Sequence, residues 1–286
     1  MGVDGTPSGW DAVALGLLLG HPSEAELLLI AVHEEPLVEV PLPQEVGWTA
    51  RETQARTMLA ETRDALAPRA RTVVQPDHLV WRALRHVVRA ERRDLLVVGS
   101  GHAGHEGRVR LGKDAGDLGA RLECPLAIAP SAFGNYGKRT LGRIGVGFDG
   151  GPESQAALRM AASIARAAHA ELEVRGAVDD SAPSRRGSEQ IVLDGEAIIV
   201  EQAESSEESD PRAGQDTAVS ARVRVGLGMS TDILLELCER VDILVIGSGR
   251  VGPSGRLVLG STAKALLQWA PCPLVVVPRP VSRSEA

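Results

Sequence analysis

Aromatic side chains are scarce: four Trp, one Tyr and two Phe in 286 residues. So few rings leave few platforms on which unpaired bases stack, which argues against single-stranded nucleic acid as a partner. Positive charge is outweighed as well, with 31 Lys+Arg against 38 Asp+Glu and a formal charge of −7. Whole-molecule attraction to nucleic acid phosphates is therefore not expected. Three cysteines, Cys124, Cys238 and Cys272, are too few for a disulfide framework and fit a reducing compartment. No run approaches the ~18 apolar residues that span a bilayer. The apolar stretch Val13 to Gly20 is short, and Asp4 and Asp11 precede it where a signal peptide carries Lys or Arg. The expectation is a cytoplasmic protein with neither membrane nor nucleic acid partners. The chain also lacks a G-x-S-x-G elbow, an H-E-x-x-H helix, Cys/His metal spacing and an evident carboxylate pair. No catalytic residue and no metal ligand is assigned. What remains is globular composition, 43% apolar and 24% charged, at a length of one to two domains of ~150 residues.

The sequence repeats itself. Asp94-Leu-Leu-Val-Val-Gly-Ser-Gly101 returns as Asp242-Ile-Leu-Val-Ile-Gly-Ser-Gly249. The same spacing pairs Gly104 with Gly252, Gly107 with Gly255, Arg108 with Arg256, Leu111 with Leu259 and Gly112 with Gly260. It also pairs Cys124-Pro125-Leu126 with Cys272-Pro273-Leu274. Gly2-Val3-Asp4-Gly5 answers to Gly147-Phe148-Asp149-Gly150 with a drift of only three residues. Two copies of one domain follow, 1–133 and 141–280, joined by a glycine-bearing linker.

Copy two shows the order of elements. Ile144 to Phe148 reads as a strand ending at Asp149-Gly150, and Ser154 to Ala168 as a helix. Leu172 to Val178 and Ala221 to Val225 read as strands. Thr231 to Arg240 is a helix with Thr231 as its N-cap. Ile243 to Ile246 is an apolar strand of the kind buried on both faces. A helix from Ser261 to Trp269 and a strand from Leu274 to Val277 close the copy. In copy one, Leu27 to Val32, Thr72 to Val74, Leu95 to Val98 and Leu126 to Ala129 read as strands. A helix stripe runs through Leu79, Val80, Ala83, Leu84, Val87 and Val88. Alternation of strands and helices implies a parallel sheet with right-handed crossovers. The first strand of copy one is only Met1 to Val3, so either it is stunted or the true start lies upstream. Residues 179–216 hold eleven Asp or Glu against three Arg; they read as a solvated loop or as an acidic docking segment.

Each fourth strand runs into a glycine-rich loop, the place where open α/β sheets bind ligands. Gly99-x-Gly101-x-x-Gly104 and Gly247-x-Gly249-x-x-Gly252 satisfy a dinucleotide fingerprint in form. No helix opens at once, however, and the following strands end without an acid. Gly107 to Lys113 imitates a P-loop, but Asp114 stands where Ser or Thr holds Mg²⁺. The loops after the first strands are too short and too poor in Ser and Gly for an adenylating enzyme.

A strand ending in Asp-Gly-x-Pro, a strand-ending Gly, and Gly-Ser ahead of Pro-Cys-Pro-Leu-Val-Val-Val-Pro together resemble the universal stress protein family, in its tandem form. The resemblance implies an α/β architecture of two tandem Rossmann-like domains of the adenine nucleotide alpha hydrolase-like kind. Each would be a five-stranded parallel sheet of order 3-2-1-4-5 with helices on both faces. It implies a stress-response protein that binds ATP or a related adenine nucleotide, with or without Mg, as a non-catalytic sensor or switch; weak ATPase activity stays open. The two domains would pack through their last strands as a pseudo-dimer, with homodimerisation open. A nucleotide-free scaffold with eroded phosphate loops is the alternative.

The family's nucleotide motif, G-x2-G-x9-G-[ST], falls in copy two on Gly247, Arg250, Gly260 and Ser261, so Arg250 replaces a glycine. In copy one it falls on Gly99, His102, Gly112 and Lys113, with two replacements. The resemblance further places Asp149 and Ala177, and Asp4 and Val32, around the nucleoside. Gly247 would let a ligand approach the backbone. Ser261 and Thr262 would offer helix N-terminal amides to a phosphate. Ser261 serves equally as a plain N-cap, Asp149 as a turn former, Lys113 as a solvated lysine and His102 as a loop histidine. Arg250 either pairs with phosphates or keeps the loop from closing on them.

Overall fold

The computed structural model describes residues 1–33, 44–101, 106–110, 122–136, 140–178, 221–248 and 259–278. The chain divides into two compact units, Met1–Gly137 and Lys138–Ala286.

In unit 2 the described strands are β5 (Arg143–Gly147), β6 (Glu171–Val178), β7 (Ala221–Leu227), β8 (Ile243–Gly247) and β9 (Leu274–Val277). They lie in the order β7–β6–β5–β8–β9, every pair parallel. The helices are α4 (Pro152–Ala168), α5 (Ser230–Cys238) and α6 (Ser261–Trp269). β8 and β9 read as continuous apolar runs because both faces are covered; Leu274 and Val275 are fully buried. β6 and β7 instead alternate. Leu172, Val174 and Val223 occupy one face, while Glu171, Glu173, Arg175, Arg222 and Arg224 occupy the other. α5 packs on that second face: a Cβ on Gly145 would meet Leu237 and Val241, and one on Gly147 would meet Leu234. Ala157, Leu158, Ala161 and Ala165 of α4 are completely buried, and truncating such a leucine to Ala costs ~2–5 kcal/mol.

Unit 1 holds α1 (Pro7–Gly20), β1 (Leu28–His33), α2 (Gln44–Leu66), β2 (Arg71–Pro76), α3 (Val80–Ala90), β3 (Leu96–Gly99) and β4 (Leu126–Ala129), in chain order. β1 pairs with β2 and β3 with β4, both parallel. Between them the expected first strand is reduced to one bridge. Gly2 pairs with Ile30. The Val3 N–H donates to Ile30 O at 2.8 Å, and the Gly2 N–H to Val97 O at 2.9 Å. The described part of unit 1 is therefore four strands plus a bridge, not five strands. Asp11 on α1 is buried and accepts the N–H groups of Ala132 and Gly134 at 2.9 and 2.7 Å. That ties the turn after β4 to α1, while burial holds the Asp11 carboxyl above its ordinary value.

Two expected helix boundaries shift. Thr231 is not an N-cap: α5 starts at Ser230 behind Met229, with no side-chain cap. Leu79 is not part of the α3 stripe but its N-cap, and it is exposed. Among the described residues no helix is long and apolar enough to cross a membrane, and no group of His, Cys, Asp and Glu is placed to hold a metal ion. Cys124, Cys238 and Cys272 are buried free thiols. Burial pushes Cys124 up to about 11.

Candidate functional site

β5 is the strand at which the order of unit 2 reverses, with β6 and β7 on one side and β8 and β9 on the other. A cavity of about 460 Å³ opens at the carboxyl ends of these strands, the usual ligand crevice of an open parallel sheet. Asp149, Ala177, Gly247, Gly260, Ser261 and Thr262 all line it. Six residues expected from four separate sequence segments thus converge. Arg250 lies outside the described residues.

α6 supplies one wall. Its N-cap is Gly260 (φ −67, ψ 172), which makes no side-chain cap. Ser261 is the first helical residue, not the cap that the plainer reading of the sequence offered. The first intrahelical bond runs from the Lys264 N–H to Gly260 O at 2.9 Å. The amides of Ser261, Thr262 and Ala263 therefore have no acceptor within the helix, and the helix dipole adds partial positive charge at this end. All three residues line the cavity. The geometry is that of an anion site.

α4 begins beside the same cavity but is dressed. Asp149 Oδ1 accepts the Gly151 N–H at 2.9 Å and the Ser154 hydroxyl at 2.6 Å. Gln155 Nε2 donates to Gly150 O at 3.0 Å. Asp149 is thus a turn former with its carboxylate at the cavity rim. Gly247 is small for a packing reason. A Cβ there would lie 2.6 Å from the backbone carbon of Glu153, in the first turn of α4. The missing side chain admits the first turn of the helix.

Sequence reasoning missed Ser248. It is 4% exposed and lines the cavity, yet its hydroxyl has no hydrogen-bond partner among the described residues. A buried hydroxyl left unpaired costs roughly 1–3 kcal/mol. The signal lay in the repeat. The matching Ser100 of unit 1 is satisfied, donating to Ala129 O at 2.7 Å and accepting the Arg110 N–H at 3.0 Å.

Of the residues expected in unit 1, Asp4, Val32 and Gly99 occupy matching places of the fold. Asp4 follows the Met1–Val3 bridge, and its Oδ1 accepts the N–H and hydroxyl of Thr6 at 3.0 and 2.6 Å. Val32 is near the end of β1 and Gly99 ends β3. A Cβ on Gly99 would collide with the backbone of Ser8, in the first turn of α1. His102, Gly112 and Lys113 lie outside the described residues.

Comparison with known proteins agrees with this fold. A model of the universal stress protein family matches residues 140–278. A universal stress protein from Archaeoglobus fulgidus DSM 4304 superposes with a TM-score of 0.68 at 16% identity, over 98% of this chain and 97% of that one. A putative universal stress protein from Pseudomonas aeruginosa UCBPP-PA14 gives 0.58 at 18% identity, over 97% and 90%. No curated protein matches the chain. Residues 140–278 thus belong to the universal stress protein family, and the two crystal structures carry the same α/β fold across the first half of the chain as well.

Proposed function

We propose that the chain is a tandem universal stress protein whose unit 2 binds ATP or a related adenine nucleotide as a non-catalytic switch. One observation carries this reading: the bare N-terminus of α6 and the unpaired Ser248 hydroxyl face the same cavity. The amides of Ser261, Thr262 and Ala263 suit the polyphosphate tail. Ala177, Leu234 and Ile246 give the cavity an apolar side for a base. Asp149 sits where a ribose hydroxyl finds an acceptor.

For unit 1 a specific observation favours the scaffold reading. Ser100 is already spent on Ala129 and Arg110. The segment after the glycine loop is tied down by bonds from the Gly101 N–H to Arg110 O at 2.8 Å and from the Gly107 N–H to Ser131 O at 2.9 Å. Unit 1 then supports the fold while unit 2 carries the ligand. The test is to purify the protein without added nucleotide, denature it and assay the supernatant for ATP. About one nucleotide per chain, with a melting temperature raised by added ATP, is the expected result. An empty protein that ATP does not stabilise would overturn the reading.

A further inference from the structure

The opposite end of the unit 2 sheet carries a row of arginines. The strand register sets Arg143 beside Glu171, Glu173 beside Arg222 and Arg175 beside Arg224, all on one face. With Arg240 they line a cleft of about 180 Å³. Its two carboxylates are already engaged. Glu173 holds Arg175 at 2.6 Å, and Glu171 lies 3.5 Å from Arg143. Outside the cleft, Glu236 meets Arg240 at 2.6 Å. Arg222 and Arg224 have no ion pair or hydrogen bond among the described residues. Glu173, which faces Arg222 across the ladder, is spent on Arg175.

Arg175 and Arg224 are like charges directly opposite each other, an arrangement that destabilises a strand pair. Edge protection alone does not account for it. β7 pairs only with β6 among the described strands, and a charge or two suffices to discourage further pairing. Here five arginines face two glutamates in a small cleft, within a chain whose net charge is −7. The planar guanidinium fork matches phosphate oxygens two at a time. With Glu171, Glu173 and Glu236 engaged, the unpaired guanidiniums of Arg222 and Arg224 suit a compact ion with two or more negative charges.

We infer that this cleft is a second anion site that takes a multiply charged phosphate compound. Arg175 borders both the cleft and the nucleotide cavity, so the experiment separates them. Calorimetric titration with inorganic triphosphate at low salt is carried out in a Ser261→Pro background, which removes an amide from the α6 end. Binding is expected to persist there and to weaken at least about tenfold when Arg222→Gln and Arg224→Gln are added, the loss of charged hydrogen bonds. Without anion, Arg224→Gln alone should melt higher than its parent, and triphosphate should close that gap. Triphosphate binding unchanged by the two substitutions, or undetectable in their parent, overturns the proposal. So does an oligoglutamate peptide of equal charge that displaces triphosphate at lower concentration, since the face would then be a protein dock.

Discussion

Ser261→Pro is the sharpest test of the nucleotide site, because the backbone there already suits proline. Ser261 is the first residue of α6, where proline is well tolerated since that N–H has no helical partner. The residue before a proline must be extended, and Gly260 already is, at φ −67 and ψ 172. The variant should therefore fold with stability unchanged or raised by up to ~1 kcal/mol. It lacks one amide that faces the cavity. A hydrogen bond to a charged phosphate contributes ~1.5–3 kcal/mol, so ATP affinity should fall between about 10- and 150-fold. Ser261→Ala is the control: it removes the hydroxyl, keeps the amide, and should cost no more than about tenfold. Calorimetric titration with ATP gives both numbers, and a melting curve without ligand reports folding. Wild-type affinity in Ser261→Pro would refute the placement of phosphate at α6. Equal losses in the two variants would show that the hydroxyl, not the amide, holds the ligand.

Ser248→Ala should leave stability unchanged or improved, since it removes an unpaired buried hydroxyl, while weakening ATP binding; a loss of stability in chemical denaturation would mean the hydroxyl is satisfied without ligand. Gly247→Ala should destabilise the protein by ~1–3 kcal/mol through overpacking against Glu153. A variant of native stability that loses only nucleotide would show that the glycine serves ligand approach instead. In unit 1, Glu26 and Glu91 each contact both Arg71 and Arg93 at 3.1–3.3 Å. Hydrogen bonds from Arg93, then the charge and bonding of Arg71, hold both carboxyls below their ordinary 4.5. Because the folded-state values are depressed, this stabilisation is present above pH 4.5 and is lost as pH falls through the folded values. A Glu26→Gln/Glu91→Gln variant should therefore show a shallower loss of stability below pH 4.5 than wild type; parallel acid-unfolding curves would show that the four-residue cluster contributes nothing.

Strands buried on both faces, and the helix that opens at Gly-Ser, were legible in the sequence. Leu126–Ala129, Leu274–Val277 and Ser261–Trp269 have the bounds that the apolar runs and the Gly-Ser helix start indicate. Two helices of unit 1 were not. α1 is buried on several sides, with Ala12, Val13 and Leu15 fully enclosed and glycines at positions 9, 16 and 20; a helix apolar all round shows no stripe. α2 fails in the opposite sense. Its 23 residues are mostly polar, and among its described side chains Leu59 and Thr62 are the buried ones, so periodicity has little to register. The shortened first strand was visible as a missing apolar run, but its survival as a single bridge depends on backbone bonds to Ile30 and Val97 that no side chain announces.

The site shows a different limit. Gly99 and Gly247 match across the repeat, and in both units the space of the absent side chain is filled by the first turn of a helix, at Ser8 and Glu153. Agreement between the copies therefore reports a packing requirement of the fold. Ser100 and Ser248 match just as well, yet one hydroxyl is bonded and the other is not. Residue identity is the same; in unit 1 the backbone of Ala129 and Arg110 reaches the hydroxyl. A buried hydroxyl is stable only when something pairs with it, so at Ser248 the proposed nucleotide would supply what Ala129 and Arg110 supply to Ser100. The proposed division of work between the halves rests on that contrast: the strand-ending Gly-Ser closes on its own chain in unit 1 and lines a cavity in unit 2.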